Sequence, residues 1–302
     1  MSPSASVDIP DTFTALHRDE HGTWVAGLPS LIGDCMDRWA VRPDGPSAHG
    51  MGSLVVPVVR DDGLRAVLKF QPVTDENAGA PAALRRWNGD GIVHLLDLDE
   101  PTGTMLLERL DAARPLSALR DDDARLRVVT GLLARLVAVP APPGMRRLGD
   151  IAAAMVDDTG RALPALADPG ERALLRVCAG AVAELVPEPG DRLLHWDLHR
   201  DNVLAGQREP WIAIDPVPLA GDPGFELLPA LGDPWDDGAG TVRGVLRRFD
   251  LMTEALGLDR PRAAGWTLGR VLQNALWDIE DGKSTMDPEQ VGIARTLLLY
   301  RR

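Results

Sequence analysis

The stretch LLHWDLHRDNVLA, residues 193–205, places two histidines, two aspartates, an arginine and an asparagine between short apolar runs. Apolar runs of this length predict buried strands, and the polar residues between them predict a loop. Two interpretations follow: the loop is a polar turn between strands, or it carries chemistry. The residues elsewhere in the chain are needed to choose between them.

The sequence on both sides of this loop has a helical pattern. Residues 121–139 are long, periodic and acidic at their start, as the helix dipole favours. Residues 171–186 predict another helix, and the tail from about Thr241 predicts three more. The apolar run WIAID, residues 211–215, predicts a short strand. The polar loop is therefore expected in a mostly helical lobe.

The first third of the chain predicts a small mixed sheet. Residues 53–60 and 64–70 have the pattern of two strands joined by a tight turn, and Pro57 predicts that the first is an edge or bulged strand. Residues 92–99 and 103–110 predict two further strands.

Two helices are expected beside this sheet. One covers residues 28–39 with Pro29 near its start, and the other covers residues 75–87 with Pro81 at a start or a kink. A sheet lobe followed by a helical lobe predicts an α+β fold with two domains, residues 1–110 and 111–302. Ligands commonly bind in the cleft of such an arrangement.

The composition narrows the class of partner. The 302-residue chain has a net charge of −13, which argues against nucleic acid because phosphate backbones require a basic surface. The charge suits a cationic small molecule, although solubility alone would also explain it. Cys35 and Cys178 are expected to be core residues, not a disulfide. Without a signal-peptide pattern or an apolar run of ~20 residues, we expect no membrane association and a cytoplasmic location.

A zinc site is one chemical interpretation of the polar loop. His195, Asp197 and His199 alternate, so on a strand they would share one face and could ligate a metal. A catalytic zinc needs a third protein ligand and supporting contacts, and no histidine follows His199.

Phosphoryl transfer is the other chemical interpretation, and the chain contains more of the residues that it requires. It requires a carboxylate beside the acceptor hydroxyl and oxygen ligands for Mg²⁺. Asp197 fits the first role, whereas the Asn202 amide oxygen and the carboxylate of Asp215 fit the second. HGMGS, residues 49–53, opens the first hairpin and can offer backbone N–H groups to phosphate.

Lys69 strengthens this interpretation. The chain is rich in arginine and contains only two lysines, Lys69 and Lys283. A lysine is a compact charge suited to a phosphate oxygen, so Lys69 at the end of a predicted strand is a candidate phosphate ligand. A surface lysine on a strand edge is the other interpretation.

Several segments resemble one family. The motif HWDLHRDN followed by IDP is similar to the catalytic core of aminoglycoside phosphotransferases, which have a bilobal protein-kinase-like fold. One group within this family, the aminoglycoside and hydroxyurea antibiotic-resistance kinases, is resembled more specifically by two segments, IDPVPLAGDPGFEL (residues 214–227) and WDIEDG (residues 277–282). The resemblance extends over nearly the whole chain. It departs from protein kinases at the metal motif, which is Ile-Asp-Pro instead of Asp-Phe-Gly.

The resemblance implies an ATP-dependent kinase that phosphorylates a hydroxyl of streptomycin, at the 6-position, and so inactivates it. It implies that Asp197 is the catalytic aspartate and that Asn202 and Asp215 are magnesium ligands. It also implies an ATP site, formed by Lys69 with its acidic partner Glu76, by the backbone at Gly52 and Ser53, and by a hinge at Glu108 to Leu110. Kinase-like loops of this kind also imply that His195 braces the loop through hydrogen bonds. Hydroxyurea or another small alcohol is the alternative acceptor, and a pseudokinase that only binds nucleotide is a third hypothesis.

The acceptor site is expected to be acidic, because streptomycin carries two guanidinium groups and these bind carboxylates well. Asp278, Glu280 and Asp281 are the candidates, with Trp277 as a stacking residue. On a helix Asp278 and Asp281 would share a face, and Glu280 would point elsewhere. A solvated helix end is the other interpretation. The next candidate group is Asp233, Asp236 and Asp237.

Overall fold

The computed structural model describes residues 7–232 and 241–301. The chain divides into two compact units. Unit 1 contains residues 1–89 and 93–111, and unit 2 contains residues 90–92 and 112–302. Asp233, Asp236 and Asp237 lie outside the described residues.

Unit 1 consists of a long helix and an antiparallel sheet with one short helix. Its elements in chain order are α1 (Asp11–Arg38), β1 (Val41–Pro43), β2 (Ala48–His49), β3 (Leu54–Arg60), β4 (Arg65–Phe70), α2 (Ala80–Trp87), β5 (Leu95–Asp99) and β6 (Thr104–Glu108). The strand order is β1-β3-β4-β6-β5, with β2 also paired to β3. The predicted hairpin of β3 and β4 and the two later strands are confirmed.

The core of unit 1 lies between α1 and one face of this sheet. Side chains alternate along a strand, so Ala66, Leu68 and Phe70 share a face of β4, and all three belong to the core cluster that includes residues of α1. Lys69 therefore lies on the opposite face of β4. There its neighbours across the strands are Val55 and Met105.

Helix α1 differs from the prediction at its start. It begins at Asp11, after Pro10, and Pro29 lies inside it instead of near its first turn. The backbone of His21 leaves helical geometry and produces a kink. A proline inside a helix removes one backbone hydrogen bond, and the burial of Leu28 and Ile32 in the core compensates for this loss.

Pro57 was expected on an edge or bulged strand, and this was wrong. Strand β3 is interior, and its pairing with β4 continues through Pro57 opposite Val67. On its other side β1 pairs with Val58 to Arg60 and β2 with Leu54 and Val55. Pro57 lies in the gap between these two partners, so no ladder bond is needed from its missing N–H.

Helix α2 is shorter than predicted. It begins at Ala80, with Pro81 in its first turn, and residues 75–79 form turns instead of helix. Glu76 is therefore an exposed turn residue. The start at Pro81 is confirmed, since the fixed φ of proline suits the first turn.

Unit 2 is mostly helical, with one triplet and one pair of short strands. Its elements in chain order are β7 (Asp111–Pro115), α3 (Asp122–Leu136), α4 (Leu148–Ala162), α5 (Pro169–Leu185), β8 (Arg192–Leu194), β9 (Val203–Ala205), β10 (Ile212–Ala213), β11 (Leu219–Gly221), α6 (Leu228–Leu231), α7 (Val242–Leu256), α8 (Arg260–Glu280) and α9 (Pro288–Leu297). The strands form two small sheets, β10-β9-β7 and β11-β8.

The predicted helices of unit 2 begin at acidic or hydroxyl caps. Asp121 accepts a hydrogen bond from the Ala124 N–H at the start of α3, and Asp259 accepts one from Arg262 at the start of α8. The three tail helices α7, α8 and α9 are confirmed. Helix α4 was not predicted, although Leu148, Ala152 and Met155 have helical spacing and are buried.

The expectation that both cysteines are core residues is confirmed. Cys35 lies in α1 and Cys178 in α5, and both are buried and free. In the part of the chain that the structure describes, no helix combines the length and the apolar character needed to cross a bilayer.

Candidate active site

The polar loop of residues 195–202 lies between β8 and β9 in unit 2. Each of these strands is held by an antiparallel partner, β8 by β11 and β9 by β10. The loop ends in a short 3-10 helix, Arg200–Asn202, for which the His199 side chain forms the cap. The two strand pairs thus fix both ends of the loop.

Asn202 and Asp197 are directly bonded within this loop. The Asn202 Nδ2 group donates to the backbone oxygen of Asp197 at 2.9 Å and to its Oδ2 at 3.2 Å. Because the amide nitrogen is used in this way, the amide oxygen of Asn202 is directed to the other side and remains an acceptor. The Asp197 side chain is 45% exposed, so a substrate can reach it.

His195 braces the loop, as the sequence predicted. The ring is buried, and its Nε2 lies 2.9 Å from the backbone oxygen of Ile214. Its Nδ1 accepts from the Asp197 N–H at 3.3 Å. Burial lowers the pKa of the imidazole to about 4, so the ring is neutral and donates from Nε2.

The zinc interpretation is excluded by these contacts. Both ring nitrogens of His195 are used in hydrogen bonds to the backbone, and a ligand nitrogen would have to be unprotonated and open. Among the described residues there is no group of three or more histidine, cysteine or acidic side chains that could hold a metal ion.

Asp215 follows β10 and is tied to the loop through its neighbours. The Ile214 N–H donates to the Asn202 carbonyl at 2.9 Å, and the Val217 N–H donates to the His195 carbonyl at 3.0 Å. Asp215 itself has a left-handed backbone, with φ of 56°. Aspartate tolerates this region better than most residues, so the backbone conformation that sets the direction of its side chain costs little free energy.

Trp196 also has a left-handed backbone, with φ of 68°. This is unfavourable for a bulky residue. Its N–H donates to the Glu226 Oε1 at 2.7 Å, and its indole Nε1 donates to the Gln273 Oε1 at 3.1 Å. Arg146 and Arg270 lie over its ring, with their guanidinium carbons 4.9 and 5.4 Å from the centroid. Sequence reasoning did not identify Gln273, because its bond to Trp196 joins residues far apart in the chain.

Glu226 is placed by a short 3-10 helix, Pro223–Glu226, that packs on α8. Asp222 caps this helix by accepting from the Gly224 N–H at 2.8 Å. Position 224 requires glycine, because a Cβ there would lie 2.8 Å from the Ala263 Cα. Burial raises the pKa of the Glu226 carboxyl to about 7, partly opposed by the Trp196 N–H and by Arg270.

The end of α8 lies beside the polar loop. The ring of Trp277 is 5.9 Å from that of Trp196, and Trp277 is 41% exposed. Asp278 is partly exposed, with 22% of its side chain accessible, and pairs with Lys283, whose Nζ is 2.6 Å from its Oδ1. Glu280 and Asp281 are exposed.

The acidic group lies where α8 ends. The helix ends at Glu280, and Asp281 is its C-terminal cap, whose N–H donates to the Trp277 carbonyl at 2.9 Å. Of the three acids, Asp278 is the least exposed, and its link to the loop passes through its neighbour Trp277.

The candidate residues of unit 1 lie on its sheet and adjoining turns. Lys69 is buried in β4, Gly52 lies in the turn before β3, and Ser53 is buried just before β3. Glu108 ends β6, where its carboxylate accepts from the His94 N–H at 3.2 Å, and Leu110 follows the strand. A Cβ at Gly52 would meet no atom within 4 Å, so the turn backbone there is open.

Comparison with known proteins gives a consistent set of similarities. The family model for aminoglycoside/hydroxyurea antibiotic resistance kinases matches residues 38–282. The chain is 59% identical to a streptomycin 6-kinase of Streptomyces glaucescens, over 98% of this chain and 99% of that protein. It is 56% identical to a hydroxyurea phosphotransferase of Kitasatospora aureofaciens, over 91% of this chain and 80% of that protein.

A solved structure confirms the predicted fold. The aminoglycoside phosphotransferase APH(4)-Ia, crystallised as a ternary complex with ADP and hygromycin B, aligns with a TM-score of 0.61 at 17% identity. The alignment covers 90% of this chain and 98% of that one. The α+β fold of the aminoglycoside phosphotransferases is therefore the fold of this chain.

Proposed function

The chain belongs to the aminoglycoside/hydroxyurea antibiotic resistance kinase family, and on this premise we propose that it transfers the γ-phosphate of ATP to the 6-hydroxyl of streptomycin. The added charge and bulk would spoil the fit of the antibiotic to its target. The observation that carries the proposal is the 59% identity to a streptomycin 6-kinase along nearly the entire chain.

Asp197 is the catalytic aspartate in this proposal. Its carboxylate accepts a hydrogen bond from the acceptor hydroxyl and orients the oxygen for in-line attack on the γ-phosphate. The Asn202 amide donates to Oδ2, so Oδ1 is the oxygen left for the substrate. The hydroxyl proton passes to the Asp197 carboxylate as the new P–O bond forms, and the bond between the γ-phosphorus and the ADP oxygen breaks so that ADP leaves.

Asn202 and Asp215 suit a magnesium ion. Hard cations prefer oxygen ligands, and these residues offer an amide oxygen and a carboxylate, joined by the hydrogen bond from the Ile214 N–H to Asn202. Mg²⁺ bound with ATP would neutralise phosphate charge. The left-handed backbone of Asp215 and the side-chain hydrogen bonds of Asn202 hold the two ligand oxygens in place before the nucleotide binds.

The residues of unit 1 would bind the nucleotide. Lys69 would contact the phosphates and pair with Glu76, and the backbone N–H groups of Gly52 and Ser53 would contact phosphate oxygens. Backbone from Glu108 to Leu110 would hydrogen-bond the adenine. In functional terms, residues 1–110 form the nucleotide lobe, and residues 111–302 form the catalytic and acceptor lobe. The enzyme is expected to act in the cytoplasm.

The acceptor site is proposed at the end of α8. Trp277 would stack on a guanidinium group, and Asp278 would pair with one, with Glu280 and Asp281 adding negative charge nearby. The net charge of −13 concentrates cationic substrates in the same way. A nucleic acid partner does not fit this charge.

Hydroxyurea is the second candidate acceptor, because a relative of 56% identity is a hydroxyurea phosphotransferase. The two acceptors differ in charge, since hydroxyurea has no cationic group for the acidic residues to bind.

The test is ADP release from ATP with streptomycin, with hydroxyurea and with no acceptor. We expect turnover with streptomycin, a product heavier by one phosphoryl group, and coupling of the phosphorus to the proton at carbon 6 in nuclear magnetic resonance. Turnover with hydroxyurea alone would replace the acceptor, and binding of ATP without turnover would favour the pseudokinase hypothesis.

A further inference from the structure

We propose that Gln273 of α8 is a positioning residue for Asp197 and acts through the indole of Trp196. The proposal rests on the phosphotransferase function proposed above. It concerns a residue that contacts neither nucleotide nor acceptor in that scheme.

The backbone of Trp196 needs an external restraint. Its φ of 68° is disfavoured for a residue with a Cβ, and Trp196 is joined to Asp197 by a single peptide unit. A return of Trp196 to an ordinary φ would therefore rotate the peptide that carries the Asp197 N–H. That N–H is the one that donates to His195 at 3.3 Å.

Gln273 supplies a restraint at the side chain. Trp196 and Gln273 are 3% and 4% exposed, so water cannot replace the hydrogen bond between the indole Nε1 and the Gln273 Oε1. Arg270, one turn earlier on α8, lies over the same ring, and Trp277, one turn later, packs beside it. One buried face of α8 thus fixes the indole.

Loss of the Gln273 oxygen would leave a buried indole N–H without an acceptor, which is costly. The indole would then shift to find a partner and release the strained backbone. Because Asn202 still holds Oδ2 of Asp197, the aspartate would remain in the site but spend less time correctly oriented. The expected defect is therefore in kcat, with the KM for ATP spared.

The test compares four single variants and one double variant of the full-length enzyme. Gln273→Leu removes the acceptor, and Gln273→Glu keeps one. Asn274→Leu is the matched control, because Asn274 on the same helix loses a comparable amide bond, to Gln290 at 3.1 Å. Trp196→Phe removes the indole donor and completes a double-mutant cycle with Gln273→Leu.

We expect Gln273→Leu to lower kcat about tenfold, the size of one buried hydrogen bond, and to leave the KM for ATP unchanged. Gln273→Glu should recover most of the loss, and Asn274→Leu should keep wild-type kcat. In the Trp196→Phe background, Gln273→Leu should have no further effect. Thermal unfolding of each variant identifies any that fails to fold, and Gln273→Met then replaces Gln273→Leu.

Three results would overturn the proposal while wild-type turnover of streptomycin is intact. They are equal kcat for the Gln273→Leu and Asn274→Leu variants, no recovery in Gln273→Glu, or the same effect of Gln273→Leu with and without the indole nitrogen. A wild-type enzyme that does not phosphorylate streptomycin or hydroxyurea would instead overturn the proposed function, and this inference with it.

Discussion

The side-chain amide of Asn202 donates to Asp197 twice, to the backbone oxygen at 2.9 Å and to Oδ2 at 3.2 Å. One residue thereby restrains the main chain and the carboxylate of its neighbour at the same time. The amide oxygen of Asn202 is left for other contacts. A single asparagine thus connects the proposed base to the proposed metal site.

Asp197→Asn should retain nucleotide binding and lose at least ~10²-fold in kcat, because an amide is a poorer acceptor for the substrate hydroxyl. The measurement is ADP release with saturating streptomycin, alongside calorimetric titration with ATP. Asp201→Asn is the matched control, since Asp201 is an exposed acid of the same loop. Wild-type turnover in Asp197→Asn would remove Asp197 from the catalytic role.

Asp215→Ala should abolish magnesium-dependent binding of ATP, and Asn202→Ala should weaken it, because both residues offer oxygen ligands to a hard cation. Titration of ATP by calorimetry with Mg²⁺ and with a chelator separates the two contributions. Binding without metal should be similar in all three proteins. If Asp215→Ala binds magnesium-ATP as the wild type does, the ligand assignment is wrong.

Asp278→Asn should raise the KM for streptomycin several-fold, about the effect of one charge-assisted contact, and spare the KM for ATP. Lys283→Met should lower the KM for streptomycin, because Lys283 forms an ion pair with Asp278 and so competes with a guanidinium group of the substrate. Asp158→Asn, which breaks the exposed pair with Arg161, is the control. An unchanged KM for streptomycin in Asp278→Asn would place the acceptor elsewhere.

Glu226→Gln should change how stability depends on pH. The carboxyl pKa is raised from 4.5 to about 7, so the folded protein binds the proton more tightly, and this contribution is lost as pH rises through 7. The wild type should therefore lose about 2 kcal/mol of unfolding free energy relative to Glu226→Gln between pH 5 and pH 8.

His195 acts in the opposite direction. Its pKa is lowered from 6.5 to about 4, so its contribution is present above pH 6.5 and is lost as pH falls towards 4. In the Glu226→Gln variant, the loss of unfolding free energy that His195 causes at acid pH should appear without the opposing effect of Glu226. Urea unfolding over a pH series measures both, with Glu188→Gln as an exposed control. Parallel curves for wild type and Glu226→Gln would contradict this account.

The sequence was sufficient for features that depend on local patterns. Alternating apolar residues predicted β3 and β4, and the acidic start with Asp121 predicted α3, because periodicity and capping act over a few residues. The apolar runs within residues 193–205 also predicted two short strands joined by a polar loop, and the structure has β8 and β9 there.

Other features depend on contacts between distant segments. The left-handed backbone of Trp196 could not be read from the sequence, because tryptophan is not a residue that favours it and its restraints, Glu226 and Gln273, come from later elements. The interior position of Pro57 depends on a gap between two other strands. Helix α4 did have a readable pattern, at Leu148, Ala152 and Met155.

The two cysteines each belong to a different unit, Cys35 to unit 1 and Cys178 to unit 2, and both are buried. Burial raises the pKa of both thiols, that of Cys178 to about 12, and so disfavours the thiolate that reacts with alkylating reagents while the helix is packed. Modification of each thiol must wait for the local opening of its own surroundings. The rate at which each cysteine is alkylated therefore reports separately on how often each unit opens, and a bound nucleotide or acceptor would slow the thiol of whichever unit it stabilises.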